Sequence, residues 1–301
     1  MVAATPEPPA WARLPRQDGR VVVVTGASGG LGLATAELLV ALGAHVVLAV
    51  RDPARGQAAV RGFRPGLRGT TEVRRLDVAD LSSVRAFAAA TGAVDVLVAN
   101  AGVMAVPFAR SVDGHELQLA TNHLGHFALA LLLLPRLGDR VVVVSSSAHR
   151  RARLDLDDLD WQRRGYRPTA AYATSKLANL LFLAELQRRL TVAGSRLRAT
   201  GAHPGSTATG ITGHTGSGVL TRVGALGHRL TGMPPWRGAL TTVHAAVLDL
   251  PGNTYLGPSG RLLGMHGWPV PVGRSAAAGD PDLAKALWAC SEELTGVTWP
   301  L

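Results

Sequence analysis

Short apolar runs rich in valine alternate with longer segments of helical spacing, and this alternation constrains the fold more than any other feature. Continuous apolar strands separated by helices are typical of a parallel sheet that is buried on both faces. Right-handed crossovers between such strands produce a doubly wound sheet. The sequence therefore predicts an α/β fold, a doubly wound parallel sheet with helices on both faces. The predicted strands are 20–25, 45–50, 71–76, 94–99, 140–145 and 196–202, and the predicted helices are 31–42, 53–63, 81–90, 117–134, 171–190, 234–250 and 280–294.

The same pattern indicates one domain, because a single α/β unit often reaches the 301 residues of this chain. Residues 1–19 are rich in proline and are predicted to form a flexible N-terminal tail. Residues 20–301 are predicted to form the domain. Within it, the Gly- and Thr-rich segment at about 206–236 is predicted to cover a site as a lid.

Charge and cysteine content limit the classes of function. Lys and Arg outnumber Asp and Glu by 31 to 21, an excess that invites a nucleic-acid partner. No nucleic-acid-binding module is visible, so we expect a solvated basic surface and no nucleic-acid partner. The single cysteine, Cys290, excludes an internal disulfide framework. No apolar run reaches the ~18 residues of a membrane span, and no signal peptide is visible, so a cytoplasmic protein is expected.

A glycine-rich turn follows the first predicted strand and opens the first predicted helix. A helix N-terminus offers unpaired N–H groups and the positive end of a dipole, which together attract phosphate. Glycine lets the chain turn tightly and lets a pyrophosphate approach the backbone. The alternative is an ordinary strand-to-helix turn, but the flanking elements favour a dinucleotide site. Its predicted contacts are Gly26, Ser28, Gly30, Leu31 and Gly32.

The ends of the next strands carry further candidate cofactor contacts. An acid at the end of the second strand would hold the ribose hydroxyls of NAD, whereas arginine suits the 2′-phosphate of NADP. Arg51 follows that strand and favours NADP (NADPH), while Asp52 keeps NAD open. The third and fourth strand ends are predicted to border the cofactor through Asp77, Val78, Asn100, Ala101 and Gly102.

Tyr172 and Lys176 are four residues apart on a predicted helix, so their side chains share one face. Free tyrosine has a pKa near ~10, too high for efficient proton transfer at neutrality. A nearby ammonium favours the phenolate, so Lys176 is expected to lower the pKa of Tyr172. Ser145, Ser146 and Ser147 follow the fifth strand, where a hydroxyl could hold a substrate carbonyl oxygen.

These motifs together resemble the short-chain dehydrogenase/reductase family. The resemblance rests on TGASGGLG at 25–32, ANAG at 99–102, Asn122, the serines at 145–147 and YATSK at 172–176. TNHLGHF at 121–127 and SSSAH at 145–149 resemble its retinol-dehydrogenase-like and protochlorophyllide-reductase-like branch. The resemblance implies a Rossmann-like fold and an NAD(P)-dependent oxidoreductase.

The resemblance also implies a role for each matching residue. Tyr172 would exchange a proton with the carbonyl or alcohol oxygen, and Lys176 would assist it and hold the nicotinamide ribose. Ser146 is the preferred carbonyl-orienting serine, with Ser145 and Ser147 left open. Asn122 would anchor a water that links Lys176 to solvent. Pro204, Gly205 and Thr209 would lie near the nicotinamide.

The substrate and the assembly are less constrained. Apolar residues within 206–236 suggest a hydrophobic carbonyl or alcohol substrate. Two other functions stay open, a catalytically silent NADP-binding sensor and a light-driven pigment reductase. The ten histidines show no metal-ligand spacing, so no metal is expected. Helices 117–134 and 171–190 could pair with their copies in a homodimer.

Overall fold

A computed structural model describes residues 14–205, 233–260 and 266–301. Eight strands lie side by side in one sheet, and they are β1 (Val21–Thr25), β2 (His45–Val50), β3 (Thr70–Arg75), β4 (Val94–Ala99), β5 (Leu137–Val144), β6 (Arg198–Ala202), β7 (Tyr255–Pro258) and β8 (Pro269–Pro271). Their order is β3-β2-β1-β4-β5-β6-β7-β8, and only the β7–β8 pairing is antiparallel. The predicted doubly wound parallel sheet is confirmed.

Helices cover both faces of this sheet. They are α1 (Gly30–Ala41), α2 (Pro53–Arg61), α3 (Leu81–Ala89), α4 (Leu117–Leu119), α5 (Gly125–Leu133), α6 (Pro168–Val192), α7 (Pro235–Val247) and α8 (Pro281–Thr295). One apolar core joins the sheet to α3, α5, α6 and α8, and a second joins it to α1 and α7. The valines of β1 alternate between the two cores, which explains why a continuous apolar run was the right pattern for a strand buried on both faces.

The strand order reverses between β1 and β4, the point where the chain changes from winding one way to winding the other. In open α/β sheets, a crevice forms at this point beyond the carboxyl ends of the strands, and ligands bind there. The glycine-rich turn follows β1, and Asn100 follows β4. The fold therefore brings the predicted phosphate loop and the ANAG segment to the same crevice.

Two strands were not predicted from the sequence, β7 and β8. The first has four residues that include Gly257 and Pro258, and the second has three residues, of which Pro269 and Pro271 are two. Proline and glycine normally argue against a strand, and proline is tolerated mainly at the edge of a sheet. Both strands are therefore stabilised by their neighbours rather than by local propensity.

The predicted helix 117–134 is interrupted. Between α4 and α5 the residues Ala120–Leu124 form a π-helical turn, and a 3₁₀ turn Leu134–Arg136 follows α5. The hydrogen bonds of a π-helical turn span five residues instead of four, and such turns are often found at functional sites. Asn122 lies in this turn rather than inside a regular α-helix, which accounts for a residue with poor helix propensity at that position.

The segment Leu117–Arg136 is long and apolar enough to cross a membrane, with a mean hydropathy of 1.3. Polar residues interrupt its first half, so it contains no unbroken apolar run of membrane-spanning length. In this fold 89% of its apolar window is buried inside the protein, as expected for a core helix. The absence of a membrane span stays a prediction.

The packing of the described residues bears on two further predictions, the N-terminal tail and the homodimer. The predicted flexible tail, 1–19, stays a prediction: 1–13 lie outside the described residues, whereas in 14–19 Leu14 and Gln17 are buried and the Gln17 N–H donates to Leu42 O at 2.8 Å. Helix α8 packs on α5 and α6, where the Trp288 ring lies 4.9 Å from Phe127 and 5.8 Å from Phe182. That surface of the two helices is covered within one chain, and the homodimer stays a prediction.

Candidate active site

The glycine-rich turn after β1 has no room for side chains at two positions. Gly26 has a φ of +68°, and a Cβ there would lie 2.8 Å from the Cα of Ala101. A Cβ on Gly32 would lie 2.5 Å from Gly26 O. Gly29 precedes α1 and provides no side-chain cap, so the first N–H groups of α1 stay available. Such a bare helix end suits a pyrophosphate, and Ser28, Gly30 and Leu31 lie in the same turn.

Thr25 and Asn100 join the ends of β1 and β4 across the crevice. The Oγ1 atom of Thr25 accepts hydrogen bonds from the N–H groups of Asn100 and Ala101, both at 2.9 Å. In return, Asn100 Nδ2 donates to Thr25 O at 2.8 Å. His126 also contacts Thr25 Oγ1, at 2.8 Å through Nε2. Burial lowers the pKa of His126 to about 4, so this imidazole is neutral at neutral pH.

Arg51 and Asp52 have different roles at the end of β2. Both residues are exposed, but Asp52 Oδ1 accepts the N–H groups of Ala54 and Arg55 at 2.9 and 3.2 Å and so caps α2. Helix capping therefore accounts for an aspartate at this position without a role in cofactor binding. Arg55, which sequence reasoning missed, places Nη2 3.8 Å from the position of a Cβ on Gly29. Its side chain therefore reaches the phosphate turn one helical turn after Arg51.

Asp77 and Val78 follow β3, as predicted, beside the start of α5. Asp77 Oδ1 accepts the N–H of Ala79 at 3.0 Å, which shapes the turn. Val78 is buried, and a Cβ on Gly125 would lie 1.8 Å from Val78 O. Helix α5 therefore lies directly against the backbone of the segment predicted to border the cofactor.

Asn122, Gly102 and Lys176 meet behind β4. The amide of Asn122 accepts from Val103 N at 2.8 Å, donates to Val103 O at 3.0 Å and donates to Ser175 Oγ at 2.8 Å. A Cβ on Gly102 would lie 3.1 Å from Asn122 Oδ1 and 3.6 Å from Lys176 Nζ. The structure thus brings these three predicted residues together, although the Asn122 side chain is used to fix the loop after β4.

The three serines after β5 have three different environments. Ser145 is buried and donates to Lys176 O at 2.7 Å, while Ser147 is exposed. Ser146 is partly exposed, accepts the N–H of Ala148 at 3.2 Å and is the serine whose hydroxyl acts to lower the pKa of Tyr172. Among the three, Ser146 is the hydroxyl placed beside the phenol.

The predicted effect of Lys176 on Tyr172 is not found. Burial raises the pKa of Tyr172, and the Ser146 hydroxyl acts against that change. Lys176 is itself buried, which lowers its pKa to about 8. Its Nζ donates to Val144 O at 3.1 Å and lies 5.8 Å from the centre of the Tyr172 ring. In this structure the ammonium therefore interacts with the strand end, and burial dominates the titration of the phenol.

Pro204 and Gly205 follow β6 at the same end of the sheet, where Gly205 N donates to the Nδ1 of His203 at 3.3 Å. Thr209 and most of the predicted lid, 206–232, lie outside the described residues. Of the remaining lid residues, Met233 is buried and α7 begins at Pro235.

A model of the short chain dehydrogenase family matches residues 20–219. The chain belongs to the short-chain dehydrogenase family. Human retinol dehydrogenase 13 is 37% identical over 298 residues, which cover 94% of this chain and 86% of that protein. Mouse polyprenol dehydrogenase is 41% identical over 297 residues, with the same two coverages. The crystal structure of an uncharacterised protein from Mycobacterium paratuberculosis is 51% identical, has a TM-score of 0.83 and covers 97% of this chain and 98% of that one.

The family model confirms the resemblance to short-chain dehydrogenases, and the similarity to retinol dehydrogenase 13 confirms the resemblance to the retinol-dehydrogenase-like branch. The protein is an oxidoreductase of alcohols and carbonyls that uses a nicotinamide cofactor. The observed geometry fits such a cofactor, since the glycine cradle and the uncapped end of α1 lie in the crevice beside Asn100. Within the described ranges, no group of three or more His, Cys, Asp or Glu side chains could hold a metal ion.

Sequence reasoning also missed Tyr255 of β7. This tyrosine is buried, its hydroxyl has no hydrogen-bond partner among the described residues, and burial raises its pKa. The ring lies 5.9 Å from that of His149 and 5.5 Å from that of His203. Strand β7 was not predicted from the sequence. Nothing in the sequence therefore indicated that this short-chain dehydrogenase has a second buried tyrosine near the serines that follow β5.

Proposed function

We propose that this protein is an NADP-preferring short-chain dehydrogenase that interconverts a hydrophobic alcohol and its carbonyl, with Tyr172 as the acid and base. The observation that carries the proposal is the placement of Tyr172 and Lys176 on α6, with Lys176 Nζ 5.8 Å from the phenol ring, at the same sheet edge as the serine turn and the phosphate turn. The matched relatives are named for retinol and polyprenol, both isoprenoid alcohols. They support an isoprenoid-like substrate class.

The residues divide the work of the reaction. The cofactor, when bound, supplies or accepts the hydride at its nicotinamide carbon. Ser146 would orient the substrate oxygen, and Tyr172 would donate its phenolic proton to that oxygen during reduction or accept it during oxidation. Lys176 would replenish the proton, since its lowered pKa of about 8 allows exchange near neutrality. Asn122 would hold the loop after β4 against Ser175 so that the site keeps its shape.

Replacement of Tyr172 by Phe tests the acid–base assignment. We expect Tyr172→Phe to lose at least about a hundredfold in kcat, the usual contribution of a positioned proton donor, while its affinity for NADPH changes little. NADPH consumption with a panel of isoprenoid aldehydes measures the first quantity, and NADPH fluorescence measures the second. Tyr166→Phe is the matched control, because that phenol lies in a separate hydrogen-bonded cluster with Glu116 and Gln118. Full activity in Tyr172→Phe would refute the assignment.

Two arginines are proposed to select NADP. Asp52 is engaged as the cap of α2, while Arg51 is exposed and Arg55 reaches the phosphate turn. Guanidinium groups bind phosphate well, so Arg51→Ala and Arg55→Ala should each raise KM for NADPH about tenfold and leave KM for NADH unchanged. Wild-type protein that turns over faster with NADH than with NADPH at equal concentrations would contradict this preference.

A further inference from the structure

His149 connects the serine turn to a distant part of the chain. Its Nδ1 lies 2.6 Å from Ser146 O, and its Nε2 lies 3.2 Å from the N atom of Ser275, which follows β8. The imidazole is almost completely buried. The next residue, Arg150, hydrogen-bonds to Gly273 O in the same distant segment. The two side chains therefore tie the turn after β5 to residues 273–275.

The partners of His149 define its tautomer. A carbonyl oxygen can only accept, so Nδ1 must carry a hydrogen and donate it to Ser146 O. A backbone N–H can only donate, so Nε2 must be the unprotonated acceptor of the bond from Ser275. Both ring nitrogens are thereby satisfied in the neutral Nδ1–H form. A protonated ring would place two donors against each other at Ser275.

The backbone that His149 holds also determines where the Ser146 hydroxyl points. Ser146 precedes the 3₁₀ turn Ser147–Arg151, and its Oγ accepts the N–H of Ala148. With that N–H occupying one lone pair, the hydroxyl hydrogen is free to point towards Tyr172, and a donor in that direction acts to lower the pKa of the phenol. A shift of the Ser146 carbonyl would move this hydroxyl as well.

We propose that His149 is a positioning residue for the reaction: as a neutral Nδ1–H imidazole bridging Ser146 O and Ser275 N, it holds the Ser146 hydroxyl in line with the Tyr172 phenol. The inference rests on the proposed function for its catalytic consequence but on the described contacts for its geometry. The His149 ring bonds to Ser146 O and to Ser275 N, so it acts through the peptide of Ser146.

The surroundings of His149 oppose its protonation. Burial lowers its pKa, Arg150 on its own turn and Arg274 after β8 add to that effect, and the bond to Ser146 O opposes it. The other groups facing it are His203 after β6, whose pKa burial lowers to about 4, and the neutral phenol of Tyr255 on β7. As the pH falls through the pKa of His149, we therefore expect loss of the Ser275 bond and of activity.

Two substitutions separate positioning from packing. Asn can place its amide N–H near the position of Nδ1 and cannot titrate, whereas Leu fills similar space without a donor. We expect His149→Leu to lose about tenfold to a hundredfold in kcat at every pH, a loss typical of displaced catalytic groups. His149→Asn should stay within a few fold of wild type at pH 7.5 and should shift the acidic limb of its kcat profile to lower pH. NADPH affinity should change little in either variant.

His244→Asn serves as the matched control, because burial also lowers the pKa of that histidine on α7, away from the serine turn. It should leave the acidic limb unchanged. The ¹⁵N chemical shifts of the His149 ring, measured without substrate, should show a protonated Nδ1 and an unprotonated Nε2. A protonated Nε2 would overturn the geometry, and equal kcat losses in His149→Leu and His149→Asn with unshifted acidic limbs would overturn the positioning role. Wild-type protein without any turnover would refute the proposed function instead, while the ring shifts would still decide the tautomer.

Discussion

Gly32 shows at the scale of one residue how closely the backbone packs at the phosphate turn. A Cβ at this position would lie 2.5 Å from both Gly26 O and Asn100 Nδ2. The first of these atoms is backbone and cannot rotate away, so a methyl group must push α1 from the crevice. The same displacement would move the N–H groups at the start of α1 and would disturb the bond from Asn100 to Thr25 O.

We therefore expect Gly32→Ala to lower the free energy of unfolding by about 1–3 kcal/mol, the usual cost of overpacking, and to weaken NADPH binding at least about tenfold. Urea unfolding and NADPH fluorescence measure the two effects. Gly92→Ala is the control, because nothing lies within 4 Å of a Cβ on Gly92. Equal nucleotide affinity in the two variants would show that the turn tolerates a side chain.

At the scale of an element, Gly125 fixes how α5 approaches the sheet. It is the first residue of α5, directly after the π-helical turn that carries Asn122. A Cβ on Gly125 would lie 1.8 Å from Val78 O, which is closer than any side chain allows. Gly125→Ala should move the start of α5 and with it the Asn122 amide that holds Val103.

The expected result of Gly125→Ala is a lower free energy of unfolding, by about 1–3 kcal/mol, together with a lower kcat. Urea unfolding and steady-state turnover with NADPH measure both quantities. Gly279→Ala offers a comparison, because a Cβ on Gly279 would meet nothing within 4 Å. A variant as stable and as active as wild type would contradict the rigid contact.

The elements also show which parts of the molecule the sequence could predict. The six predicted strands all exist. A continuous apolar run such as VVVV in β1 buries side chains on both faces of a strand, and a sheet covered by helices on both sides is the structure that buries them all. The π-helical turn was not predicted, because the apolar residues Ala120 and Leu124 are four residues apart, as they would be in a regular α-helix. The residue pattern at Tyr172 and Lys176 was correctly placed on one helix, α6. The direction of the Tyr172 pKa change was predicted wrongly. The pKa is raised by burial, and burial depends on packing that a spacing of four residues does not reveal.

At the scale of the whole molecule, buried neutral histidines make the stability depend on pH. Burial lowers the pKa of His123 to about 3 and those of His126 and His203 to about 4. In the unfolded chain these groups would titrate near ~6.5, so the unfolded state binds more protons than the folded state between about pH 4 and pH 6.5. The stability that these three neutral histidines contribute is therefore fully present well above pH 6.5 and is lost as the pH falls towards 4.

Each such histidine should cost about 2 kcal/mol between pH 6.5 and pH 5, since one pKa unit corresponds to about 1.4 kcal/mol. His115 acts in the opposite direction, because its hydrogen bond to Asp160 raises its pKa and favours the folded state below pH 6.5. The free energy of unfolding from urea titrations should still be lower at pH 5.0 than at pH 7.5, because burial also lowers the pKa of His149 and His244, so five histidines oppose one. A higher value at pH 5.0 would mean that the buried rings are protonated in the fold.

The two outer strands of the sheet have a consequence for the behaviour of the protein at high concentration. Pro269 and Pro271 of β8 have no N–H to offer a further strand, and β3 at the opposite border carries Glu72, Arg74 and Arg75 in six residues. Prolines and charges at such borders hinder the edge-to-edge stacking of sheets that begins aggregation. Strands β1, β4 and β5, which are rich in valine, lie inside the sheet, so the most β-prone segments of the protein are kept away from self-association.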